Sequence, residues 1–169
     1  MNPSIEIRPV KGHEAVAACE PILRSVPEWF GIESSTLAYI ADAARLPTWV
    51  ARCEGRDAGF ITLSQTSPHA IDVHCIAVHR EFHGRGLGTT LIRHAETYTR
   101  EQGASILHVK TMGPSRPNQE YARTTHFYRS SGFLDLEEVN NLWPGIPCLI
   151  LVKWIGSPSL TPPVPDRIV

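Results

Sequence analysis

The chain has 169 residues, 42% of them hydrophobic and 20% charged, which fits a soluble globular domain able to bury its own core. Sixteen basic against seventeen acidic residues give a net charge of −1. That balance excludes bulk phosphate neutralisation on nucleic acid and a polybasic membrane anchor, and leaves a local cationic site open.

Ile5 to Arg8 alternates apolar and charged residues and predicts a first strand. His13 to Phe30 has helical spacing, with breaks expected at Pro21 and Pro27. Thr36 to Leu46 predicts a second helix, capped by Ser34 or Ser35 and ended before Pro47. Thr48 to Cys53 and Ala58 to Ser64 read as a hairpin across Glu54-Gly55-Arg56-Asp57, with Ile71 to Val78 as a third adjacent strand. Gly88 to Gln102 is the strongest helix, with Leu91, Ile92, Ala95 and Tyr98 as its apolar stripe and Gly103 closing it. Ile106 to Met112 predicts a strand, residues 119–131 a helix ended by Gly132, and Leu134 to Val139 with Cys148 to Ile155 a last strand pair across a long connection.

This order predicts an α+β (or α/β) fold with a mixed, mostly antiparallel central sheet and helices on both faces. The segment 71–112 supplies its one parallel β–α–β crossover. Residues 1–156 are expected to form one domain. Residues 157–169, with four prolines in the last twelve positions, are expected to form a disordered tail. Apolar runs such as Cys148 to Val152 are far shorter than the ~20 residues of a bilayer span, so no membrane partner is expected. Met1 to Arg8 has no export-signal pattern and the four cysteines form no C-x-x-C pair. We therefore expect reduced, packed thiols and a cytoplasmic location.

The sharpest local signal is His83-Gly84-Arg85-Gly86-Leu87-Gly88, set between a strand and a helix start. Glycines there permit positive φ and close backbone approach, and the free N–H groups of a helix start suit an anionic group such as phosphate. Arg85 and His83 can add charge at its mouth. The spacing is neither that of a P-loop, which needs a lysine after its last glycine, nor the dinucleotide G-x-G-x-x-G. A different pyrophosphate binder is left.

Ile76 to Gly88 resembles the acyl-CoA loop of the GNAT superfamily of N-acetyltransferases, Gln/Arg-x-x-Gly-x-Gly/Ala after the fourth strand, with His83 at the position of the Gln or Arg. A second match, Phe127-Tyr128-Arg129-Ser130-Ser131-Gly132-Phe133, resembles the family's F-Y-x-x-x-G-F segment. Tyr121 and Thr124 stand where the family has Asn and Ala. The resemblance spans residues 5 to about 155.

It implies acetyl-CoA as acyl donor and a primary amine, of a small molecule, as acceptor, with direct transfer and no acyl-enzyme. The pyrophosphate would lie on His83, Gly84, Arg85, Gly86, Leu87, Gly88 and Thr89. The pantetheine would lie along Ile76, Ala77 and Val78, whose backbone can also polarise the thioester carbonyl. Tyr128 would be the general acid for the departing thiolate. His74 and Asp72 alternate on one face of their strand and are the candidates for the base.

Cys75 reads as packed, not nucleophilic, and the spacing of His74, His79 and His83 matches no metal site, so no metal is expected. The acceptor site is expected between residues 20–46 and the 113–121 and 140–147 loops. Trp29, Phe30, Glu28 and Glu33 would line it, the carboxylates receiving an ammonium group. Arg116 and Arg123 are candidates for holding an acceptor anion. Two other readings stay open: a non-catalytic acyl-CoA sensor, and an acetyltransferase of a protein N-terminus or lysine. A homodimer through the 148–155 strand is a further expectation.

Overall fold

The computed structural model describes residues 4–156, so the proposed tail at 157–169 lies outside the described residues. The elements run β1 (Ile5–Val10), α1 (Gly12–Arg24), α2 (Glu33–Arg45), β2 (Thr48–Cys53), β3 (Arg56–Ser67), β4 (Ala70–Val78), α3 (Leu87–Glu101), β5 (Ile106–Met112), α4 (Gln119–Ser130), β6 (Leu134–Trp143) and β7 (Ile146–Trp154). A single sheet takes the order β1-β2-β3-β4-β5-β7-β6. Every pair is antiparallel except β4 with β5. This is the mixed sheet with one parallel crossover that the element order implies.

Two apolar clusters cover the two faces. On one, Leu87, Leu91, Ile92 and Ala95 of α3 and Tyr128 of α4 pack on Ile61, Leu63, Ile71, Val73, Leu107 and Val109. On the other, Ala15, Cys19, Ile22 and Leu23 of α1 and Ile40 and Ala43 of α2 pack on Val50, Phe60, Cys75 and Ala77. Ile71 and Val73 thus face α3, whereas Cys75 and Ala77 face α1. Strict alternation would keep all four on one side. The register explains the switch: Thr62 pairs with Cys75 and Leu63 with Val73, so His74 is an extra, unpaired residue in β4. Such a bulge bends its strand and re-aims the side chains beyond it.

Several local expectations need correction. Helix α1 runs through Pro21 and ends at Arg24. Pro21 is exposed and its lost N–H would have bonded the carbonyl of Ala17, itself exposed, so water replaces the bond at modest cost. Ser34 and Ser35 do not cap α2. Its N-cap is Ile32, without a side-chain bond, and the Thr36 hydroxyl bonds the Phe30 and Ile32 carbonyls instead. The first hairpin turns on two residues, Glu54 (φ 53°) and Gly55 (φ 75°), the positive-φ pair that matches strand twist. The connection before β7 is short as well: Trp143 pairs with Ile146 across Pro144-Gly145.

Candidate active site

Strands β4 and β5 pair only at Ala70–Ile106, Ile71–Leu107 and Asp72–His108. Beyond the bulge they part, and a cleft of about 860 Å³ opens between them. The His79 N–H bonds Ala58 O on β3, so by alternation Ala77 and Cys75 also turn their backbone groups to β3. Ile76 and Val78 turn theirs into the gap. The Val78 carbonyl already accepts from His83 Nε2 at 2.8 Å, a bond that leaves its second lone pair free.

The glycine turn closes the cleft at one end. Gly84 and Gly86 sit at φ 77° and 81°, which a side chain would strain, and Gly86 is the N-cap of α3. Gly88 serves packing: a Cβ there would lie 3.1 Å from Phe127 of α4. Gly84, Gly86, Leu87, Gly88, Thr89 and His83 line the cleft. Arg85 does not. Its guanidinium lies 3.0 Å from Glu54 and over the Phe82 ring.

Tyr128 lines the opposite wall, 4% exposed, and burial pushes its phenol well above the usual tyrosine range. Among the described residues no hydrogen bond engages its hydroxyl. Tyr121 and Thr124 of α4 both hold Trp29 of the α1–α2 segment: the Tyr121 hydroxyl donates to Trp29 O at 3.0 Å, and Trp29 Nε1 donates to Thr124 Oγ1 at 2.9 Å. Trp29 also meets the His83 ring edge-on at 6.3 Å, so it ties one cleft wall to the other.

Of the two base candidates, the fold brings only His74 to the cleft. Its Nε2 lies 2.8 Å from Asp42 Oδ2 on α2, and its ring meets Tyr39 edge-on. Asp72 is 7% exposed, with Lys110 Nζ 2.9 Å and His108 Nδ1 3.4 Å away on β5. Cys75 is buried beside Cys19 and its thiol is raised well above its ordinary value by burial, which leaves it inert.

The expected acceptor carboxylates are elsewhere: Glu28 pairs with Arg80 and Glu33 with Arg24, both on the exposed surface. Among the described residues no Asp or Glu lines the cleft; the formally charged ones that do are Lys110 and Arg123, whereas Arg116 turns to Gly145 O. Asp42, Tyr39 and Lys110 are site residues the sequence reading did not single out. Tyr39 and Asp42 at i and i+3 on α2 are a polar pair beside the core residues Ile40 and Ala43, the one signal that marks them.

Residues 44–134 match the acetyltransferase (GNAT) domain family. The chain belongs to the GNAT acetyltransferase family. Its members are acyltransferases, and the fold agrees. The ribosomal-protein-S18-alanine N-acetyltransferase of Escherichia coli superposes with a TM-score of 0.73 at 17% identity, over 93% of this chain and 99% of that one. An aminoglycoside 6′-N-acetyltransferase complexed with coenzyme A gives 0.70 at 15% identity, over 90% and 98%. A GNAT family acetyltransferase from Elizabethkingia anophelis with acetyl-CoA bound gives 0.67 at 15%, over 89% and 97%. No curated protein matches the chain. In this GNAT chain no described helix is long and apolar enough to cross a membrane.

Proposed function

We propose that the protein transfers the acetyl group of acetyl-CoA to the primary amine of a small molecule. The observation that carries this reading is the gap between β4 and β5. It offers the backbone of Ile76 and Val78, the α3 N-terminal turn at one end, and the Tyr128 hydroxyl and His74 ring in one cleft. The N–H groups of Leu87, Gly88 and Thr89, unpaired among the described residues and with the helix dipole behind them, suit a pyrophosphate; Gly84 and Gly86 let the backbone approach it.

The chemistry follows from the residues. His74 takes a proton from the acceptor ammonium, and the free amine attacks the thioester carbonyl. A gap-facing N–H of Ile76 or Val78 stabilises the developing oxyanion, a contribution of about 3 kcal/mol per donor. As the C–S bond breaks, Tyr128 gives its proton to the sulfur, and the extra proton of the acceptor nitrogen restores the phenol as the neutral amide forms. The raised phenol keeps that proton at neutral pH, so the acid is loaded before each turnover. The Trp29 tie to α4 and the short Trp143–Ile146 hairpin both border the cleft, which supports a small acceptor over an extended peptide.

The test is release of free CoA thiol from acetyl-CoA across a panel of small amines and peptides with free N-termini. Turnover is expected with small amines, and Tyr128→Phe lowers kcat by about 100-fold or more with little change in the KM for acetyl-CoA. Acetyl-CoA raising the melting temperature without turnover on any amine identifies a binding module instead. Turnover on peptides alone identifies a protein acceptor.

A further inference from the structure

We propose that Asp42 is a positioning residue for His74, holding the imidazole by Nε2 so that Nδ1 is the nitrogen presented to the acceptor amine. The inference rests on the acetyltransfer reading above and adds a residue to it.

The geometry begins with the bulge. As the extra residue of β4, His74 has no partner on β3, and its side chain stays on the α1–α2 side with that of Cys75. Two contacts from α2 then fix the ring. Tyr39 meets it edge-on with centroids 5.6 Å apart, and Asp42 Oδ2 lies 2.8 Å from Nε2. An ionised carboxylate only accepts, so Nε2 carries the hydrogen, and the neutral ring keeps its lone pair on Nδ1. Among the described residues nothing bonds Nδ1, and the ring lines the cleft. Asp42 is itself anchored, since its other oxygen pairs with Arg45 three residues along α2.

The remaining groups near the ring leave this arrangement intact. From α2 there are Asp42, Arg45 and Tyr39, whose phenol is pushed up to about 12 by burial. From β4 there are Asp72, whose charge faces Lys110 and His108 of β5, and the buried Cys75, beside Cys19 of α1. From α4 there are Tyr121 and Tyr128, both raised by burial and neutral. Asp42 is thus the carboxylate in direct contact with His74. When Nδ1 takes the acceptor's proton, the charge formed on the ring faces that carboxylate. Asp42 does not line the cleft; it acts through the histidine.

The experiment is a double-mutant cycle on kcat with the best amine of the panel, using wild type, Asp42→Ala, His74→Ala and the double variant, with Asp42→Asn alongside. Asp42→Ala is expected to lower kcat about 10- to 100-fold with the KM for acetyl-CoA unchanged. Asp42→Asn, which keeps an accepting oxygen, recovers most of that loss. In the His74→Ala background Asp42→Ala costs less than about twofold. Nitrogen-15 spectra of histidine-labelled protein are expected to show a slowly exchanging Nε2 proton on His74 that Asp42→Ala lacks. Additive losses in the cycle, or an unprotected Nε2 in the wild type, overturn the positioning role and leave the acetyltransfer reading standing. A protected Nε2 with no acetyl transfer to any amine overturns the acetyltransfer reading, and the role of Asp42 with it.

Discussion

Two histidine–aspartate pairs sit on the same side of the sheet, one on the last β4–β5 rung, the closed end, and one just beyond it, the open end. At the closed end, His108 lies against Asp72 with Lys110 beside them; the three side chains are 14%, 10% and 29% exposed. His108 Nε2 is engaged, 2.9 Å from the Thr66 hydroxyl, and its ring does not line the cleft. At the open end, His74 meets Asp42 through one nitrogen only, and its ring lines the cleft. The residue types match. The difference is whether β4 and β5 still pair around them. Where they pair, Asp72 and His108 are held against each other away from the cleft; where they part, the His74 ring lines it with one nitrogen unbonded among the described residues.

The comparison breaks first on activity. His74→Ala is expected to lower kcat by about 100-fold or more and to leave the melting temperature near that of wild type. His108→Ala is expected to do the reverse, and steady-state kinetics with thermal melts of both variants measure it. Equal losses of activity would erase the distinction between the two ends.

Next in size comes stability at the closed end. Asp72→Ala leaves Lys110 beside a buried gap without its partner, and a loss of about 2–3 kcal/mol is expected in urea unfolding, reduced from the fully buried case because Lys110 is partly exposed. Asp42→Ala, at the open end, is expected to cost less than about 1 kcal/mol.

The smallest effect is on the pH dependence of stability. Burial lowers the pKa of His108 below its ordinary 6.5, outweighing the opposite pull of Asp72, and burial likewise lowers that of His94. The unfolded chain therefore binds protons that the folded one refuses. Stability is complete above pH 6.5 and falls as pH drops through the window below it. Melting temperatures taken from about pH 8 to about pH 5 are expected to decline in that window, and His108→Asn is expected to flatten part of the decline.

Much of the fold is legible in the chain. The bounds of β2 and β5 follow from apolar runs between turn signals, and α3 from its stripe of Leu91, Ile92 and Ala95. Misreadings fall where local signals are satisfied by partners at a distance. Ser34 and Ser35 suit an N-cap, yet Thr36 holds the start of α2 through carbonyls of the preceding segment. Arg85 stands in the glycine turn, but the nearest carboxylate is Glu54, at the far hairpin. Tyr121 and Thr124, which depart from the family pattern, face Trp29, and that contact joins residues 92 and 95 positions apart.

Length and charge balance excluded a bulk anion binder and were silent on the positive-φ turn of Gly84 and Gly86, which we propose holds a pyrophosphate. By itself the sequence determined the element order, the positive-φ turn ahead of α3, and the placing of Tyr128 on α4. These depend on neighbours in the chain, whose spacing is written in the residues. Only the tertiary structure decided which of the two histidines, His74 or His108, lines the cleft. That rests on a one-residue slip in the β3–β4 register and on Asp42, 32 positions from His74. Period-two alternation marks the faces of a strand, and packing between distant segments sets where the alternation breaks.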